Sequence, residues 1–262
     1  MRNNSGYKIA IAVLTCLVII EGILLVRSRV SRPPKVIKAP EAVKGRIAIV
    51  IDDWGYNSNN LAALERIKYP VTLSILPNLP YSAGVAAEAQ RLGFEVILHL
   101  PLEPRERFSL EKNTVLASMD EARILSIMER DIASVPNIKG VSNHMGSKAV
   151  SDARTMRIIL SELKRRGLYF LDSLVSPDSL GSALSRKMQI GFAKRDIFLD
   201  NNEDPEYIKS QLYKLESRAR KAGRAIGIGH DREVTLRVLE EVMPLLARKG
   251  YKFVSVSELV TK

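Results

Sequence analysis

From Arg46 to the C-terminus, eight short aliphatic runs alternate with longer segments of amphipathic spacing. Runs of four to eight β-branched and aliphatic residues bounded by turn signals read as strands, and apolar positions recurring every three to four residues read as helices. A strict alternation of the two makes successive strands parallel, because a crossover helix carries the chain back to its starting edge. The predicted strands are 46–51 (RIAIVI), 71–75 (VTLSI), 95–98 (EVIL), 138–142 (IKGVS), 168–171 (LYFL), 189–193 (QIGFA), 225–229 (AIGIG) and 252–256 (KFVSV). Seven or eight βα units in so short a chain suit a closed barrel better than an open sheet, so the expected class is α/β. Helix ends are readable in places. Ser118 with Glu121 suggests a capping box. Ser151 is the expected cap of a helix that closes on Lys164-Arg-Arg-Gly167, and Asp204-Pro205 opens one that stops near Gly223.

The segment before Arg46 is different. Residues 9–26 (IAIAVLTCLVIIEGILLV) form an apolar run close to the shortest that spans a bilayer. Arg2 and Lys8 precede it, as in a signal sequence, but no small-x-small cleavage site follows at Arg27-Ser-Arg-Val. A retained signal anchor over residues 1–30 is the preferred reading, with a cleaved peptide as the alternative. Residues 31–45, with Pro33, Pro34 and Pro40 among basic residues, read as an extended linker, and 46–262 as the barrel. Arg27, Arg29, Arg32, Lys35 and Lys38 crowd the C-terminal flank, where the positive-inside tendency would hold that side in the cytoplasm. Long domains translocate despite such charge, so an inner-membrane anchor with an external, periplasmic barrel is expected. The net charge of +11 is concentrated here: residues 1–46 hold nine Lys/Arg against two Glu, leaving an excess of only four beyond. No nucleic-acid partner is therefore expected. The single Cys16 excludes an internal disulfide and a cysteine-based zinc site.

Polar residues fall just past the strands. They are Asp52-Asp53, then His99, Asn143-His144, Asp172 and His230, and the chain has only three histidines. In a parallel barrel these positions meet at one face. Adjacent carboxylates repel, but a divalent cation would neutralise one of them. Two imidazoles and one carboxylate suit Zn²⁺ and leave one coordination position open, with the second carboxylate free to act as a base. Trp54, the only tryptophan, follows the acidic pair and could stack on a sugar ring or pack in the core.

Together the segments IAIVIDDWGYN (47–57), VILHLPLEP (96–104), GVSNHMGSKAV (140–150), GLYFLDSLVSP (167–177), RDIFLDNN (195–202) and RKGYKFVSVSELV (248–260) resemble the divergent polysaccharide deacetylases. The resemblance implies a distorted (β/α) barrel of about seven strands and a metal-dependent site that removes acetyl groups from a cell-envelope glycan. It implies Asp52 as catalytic base, Asp53, His99 and His144 as metal ligands, and His230 as the acid that protonates the leaving group. Asp172 would orient a ligand, substrate or histidine, and Glu103, on the loop that carries His99, would line the cleft. Ordinary deacetylases draw both histidine ligands from one HxxxH-type motif, whereas here they lie on separate loops. The divergent family also usually follows its last histidine with proline. Here the chain reads Gly229-His-Asp-Arg232, and Asp231 would favour protonated His230. The alternative expectation is a weak or inactive carbohydrate-binding envelope protein on the same fold.

Overall fold

The computed structural model describes residues 5–30 and 43–262, so most of the expected linker lies outside the described residues. The chain divides into an N-terminal unit and a unit from Ala42 to Lys262. In the first, helix α1 (Ser5–Val30) is apolar over Gly6–Arg27, with none of that stretch buried. Its 22 residues extend roughly 33 Å at 1.5 Å per residue, about the depth of a bilayer's hydrocarbon. Membrane anchors and signal sequences share this length and composition.

The second unit is one parallel sheet wrapped by helices. Its strands are β1 (Gly45–Trp54), β2 (Thr72–Ile75), β3 (Glu95–Leu102), β4 (Gly140–Met145), β5 (Tyr169–Asp172), β6 (Phe192–Lys194), β7 (Ile197–Phe198), β8 (Arg224–His230) and β9 (Tyr251–Phe253). They run in the order β6-β5-β4-β3-β2-β1-β8-β7, with β9 also on β1. The segment from Phe192 to Phe198 pairs β5 with its first half and β8 with its second. It thereby joins the two edges of the sheet, giving the distorted barrel with seven strand positions around it. The outer helices are α2 (Leu61–Leu64), α3 (Ser82–Arg91), α4 (Glu121–Ser134), α5 (Ala153–Arg166), α6 (Gly181–Met188), α7 (Pro205–Ala222) and α8 (Glu233–Arg248).

The two-residue period of a strand explains both the core and the site. Along β1, Ile47, Ile49 and Ile51 join the large apolar cluster shared with the helices. Ala48 and Val50 belong instead to a second cluster with Ile97, Leu171, Ile226, Ile228 and Val254. This inner cluster fills the barrel. Continuing its parity upward gives Asp52 on β1, His99 on β3 and His230 on β8, while Ser142 and His144 share one parity on β4. The barrel is thus apolar below and polar at its C-terminal mouth.

Three sequence expectations are corrected. The strand expected at 189–193 begins at Phe192, because Gln189 caps α6 in the left-handed conformation (φ 55°). Helix α5 is capped by Asp152, whose side chain accepts from the Thr155 amide, and not by Ser151. Helix α4 is capped by Asp120, which accepts from the Arg123 amide at 2.8 Å, and not by Ser118. Each Asp sits in an extended backbone position immediately before the first turn, where its carboxylate accepts from one of the free first-turn amides. Asp120→Ala is therefore expected to cost about 1 kcal/mol of stability in urea melts, and Ser118→Ala close to nothing. Asp204 and Gly167 do end their helices as expected, Asp204 accepting from the Tyr207 amide and Gly167 adopting φ 69°.

Candidate metal centre

Adjacent residues on an extended strand point to opposite faces, yet Asp52 and Asp53 address one cavity. The reason is a bulge at the end of β1. Ile51 pairs with Leu73 and Trp54 with Ile75, so β1 carries one extra residue over this interval. Asp53 takes it up with φ 67°, a left-handed conformation that Asp tolerates better than most residues. Its carboxylate is turned inward beside that of Asp52.

Asp53 Oδ1 stands 3.2 Å from His99 Nε2 and 3.1 Å from His144 Nδ1. The two imidazoles meet edge to face with centroids 4.9 Å apart. Donor atoms of all three residues lie within 4.8 Å of one another, a group able to hold a metal ion. Ligand atoms about 2.1 Å from a tetrahedral ion are roughly 3.4 Å apart, close to these separations. The donor set of two nitrogens and one oxygen also fits a borderline-soft cation such as zinc. Burial works against the charge on Asp53, but hydrogen bonds from His144 and His99, and their charges, hold it far below the usual carboxylate range.

His99 is oriented from behind. Its Nδ1 lies 2.7 Å from Ser142 Oγ, which lies 2.7 Å from Ser74 Oγ. Both serines are fully buried. With Nδ1 engaged by Ser142 Oγ, Nε2 is the ring atom that faces Asp53, and a hydrogen-bond partner behind the ring is what fixes a metal-ligating histidine.

Asp52 is 2% exposed, and its Oδ1 has no hydrogen-bond partner among the described residues. Its Oδ2 is 3.7 Å from His99 Nε2. Burial raises its pKa, with the His99 charge opposing and the Asp53 charge adding to the effect. The result is a carboxylate beside the cluster, outside it, with a free oxygen.

His230 closes the mouth from β8, where it pairs with Asp52 across the strands. Asp200, itself completely buried, accepts from the ring through Oδ1 (2.7 Å from Nδ1) and from the His230 amide through Oδ2. Thr235 Oγ1 donates to the same Oδ2. Burial opposes the charged imidazole, but the Asp200 hydrogen bond and charge, with Asp53 and Asp52 behind, raise the His230 pKa above its ordinary value.

The other expected site residues lie elsewhere. Trp54 is fully buried in the core, so it cannot stack on a sugar. The Asp172 carboxylate accepts from Ser179 Oγ and the Leu174 amide and contacts no histidine; the aspartate that orients one is Asp200. Glu103 binds Lys148 Nζ and the Ala117 amide, which secures its own loop. Asn143 braces β4 against the chain after β5 by accepting from the Ser173 amide. Asp231 accepts from Asn60 Nδ2 and is pushed up to about 6 by burial; the carboxylate that favours charged His230 is again Asp200. Asp200 and the Ser74–Ser142 relay join the site without being expected from the sequence. The signal for Asp200 was there: it follows the strand Ile197–Phe198 as the other site residues follow theirs.

The chain aligns with the uncharacterised protein YibQ of Escherichia coli (strain K12) at 34% identity over 199 residues, covering 76% of this chain and 62% of that protein. It thus spans less than two thirds of that relative's length. A crystal structure of an uncharacterised protein from Agrobacterium tumefaciens C58 superposes with a TM-score of 0.80 at 25% identity, over 84% of this chain and 91% of that one. The family 4 carbohydrate esterase from Streptomyces lividans, solved in complex with acetate, shares the fold with a TM-score of 0.52 at 18% identity, over 82% and 93% of the two chains. The sequence pattern of the divergent polysaccharide deacetylases matches residues 49–260. The chain belongs to the divergent polysaccharide deacetylase family.

Proposed function

We propose that the protein is a zinc-dependent hydrolase that removes acetyl groups from a cell-envelope glycan, held at the inner membrane by α1 with its barrel on the external side. The observation that carries this reading is the convergence of Asp53, His99 and His144 beside a buried Asp52 with an unpartnered oxygen.

Asp53 Oδ1, His99 Nε2 and His144 Nδ1 would hold the ion. When bound, zinc supplies Lewis acidity to the acetyl carbonyl and lowers the pKa of water. Asp52 Oδ1 accepts a proton from the attacking water as its oxygen bonds the acetyl carbon. His230 gives its proton to the departing nitrogen or oxygen as the acetyl bond breaks, releasing acetate and the deacetylated sugar. Asp200 keeps Nδ1–H directed inward, so that the proton to be donated resides on Nε2.

The test is acetate release by the full-length protein in detergent, supplied with Zn²⁺, from a panel of N- and O-acetylated oligosaccharides. Release from at least one is expected; release from none, with the metal bound, would point to the binding protein instead. A second expectation concerns pH. Because a raised His230 pKa keeps the acid form present, activity persists below that pKa and is lost as pH rises through it. Asp200→Asn removes the main raising influence, so the alkaline limb of the pH–rate profile should move to lower pH, with a fall of about 10- to 100-fold at pH 8. An unmoved limb would remove His230 from the acid role.

A further inference from the structure

Arg195 is a cation held at the mouth with no carboxylate in contact with it among the described residues. It follows β6, and its amide donates to Asp172 O at the end of β5. Its guanidinium donates from Nε to Ser173 O (2.8 Å) and from Nη2 to Leu174 O (3.1 Å). It lies 3.7 Å from the centroid of the Phe198 ring. Phe198 in turn stacks on His230, with centroids 6.1 Å apart and planes 18° from parallel. A fixed guanidinium is therefore one aromatic ring away from the group assigned to the leaving atom.

Among the described residues no carboxylate forms an ion pair with Arg195. The two acids that act on it do so through space, and both are engaged. Asp172 binds Ser179 Oγ and the Leu174 amide; Asp196 binds Arg218 Nε and the Ile226 amide. Arginine stays charged and presents five N–H donors, of which these carbonyls use two. Burial disfavours its charge, Asp172 and Asp196 offset this only from a distance, and a carboxylate in contact would offset it further. The bond from Nη2 is exposed, while Arg195 as a whole is half-buried. A single planar cation with free donors matches one planar oxyanion of one charge, a carboxylate, in forked geometry.

We propose that Arg195 is a carboxylate subsite, and that the acetylated glycan carries a carboxylate on the sugar next to the one that loses its acetyl group. The substrate class is an acidic glycan, and the inference rests on the deacetylase reading of the adjoining centre. An arginine that only fastened the 173–174 carbonyls would affect neutral and acidic substrates alike, and this separates the two roles.

The experiment compares full-length protein and Arg195→Gln on matched tetrasaccharides. One pair is an alternating N-acetylglucosamine and N-acetylmuramic acid tetrasaccharide and its methyl ester, which tests a carboxy-ether. The other is a hyaluronan tetrasaccharide and its methyl ester, which tests a uronate. Acetate release and calorimetric binding are both measured. In at least one pair the wild type should favour the free acid about ten-fold in kcat/KM and in Kd, and Arg195→Gln should bring that ratio to near one. Equal treatment of acid and ester by the wild type in both pairs overturns the subsite while leaving the deacetylase reading intact. A preference that survives in Arg195→Gln overturns the assignment to this residue. If no compound yields acetate, the deacetylase reading fails, and the calorimetric ratio alone still decides the subsite.

Discussion

Asp52→Asn is expected to lower acetate release by about 10²- to 10⁴-fold, the range for losing a general base, while leaving the bound metal in place. Asp52 lies outside the three-residue cluster, its nearer oxygen 3.7 Å from His99 Nε2, so the ion loses no ligand. The substitution keeps the shape of a side chain that is 2% exposed, so the surrounding core need not rearrange. What it removes is the ability of Oδ1 to take a proton. Acetate assays paired with metal analysis check it, and a variant that turns over at the wild-type rate would exclude Asp52 as the base.

The second large effect is expected at the ligands. His144→Ala or His99→Ala should take the metal content from one per chain to near zero, and acetate release with it. Losing one of three protein ligands leaves too few donors to compete with solvent for the ion. Ser142→Ala probes the same centre more gently. Without the Ser142 hydroxyl, His99 loses the contact that fixes its ring and tautomer, and a loss of about 10- to 100-fold in zinc affinity follows. Competition against a chromophoric chelator measures all three. Ser142→Ala with unchanged affinity would show that the relay is only packing.

Much of this was readable because a parallel barrel converts strand ends into one place. The runs RIAIVI, EVIL and AIGIG each stop at a polar residue, and the parity of Ala48 and Val50 carries on to Asp52. The three histidines were found by the same rule. The direction of Asp53 was not legible, since it depends on a bulge and a positive φ that no local pattern announces. Asp200 is hard to read from the sequence for a related reason. The apolar run 189–193 reads as the strand, whereas Gln189 is a helix cap and Asp200 marks the end of the much shorter strand Ile197–Phe198. Ser74 and Ser142 sit inside strands, where small hydroxyl residues read as unremarkable strand formers until the packing brings them together. Trp54 stood at the same strand end as the acidic pair, but the bulge that turns Asp53 inward leaves the indole in the core.

The central claim is that residues from three strands share one ion. It is tested most directly by zinc titration of metal-free, full-length protein and of the Asp53→Asn, His99→Ala and His144→Ala variants. One tightly bound zinc per wild-type chain, lost in each of the three variants, is the predicted result. Wild-type stoichiometry and affinity in any one of them would contradict it.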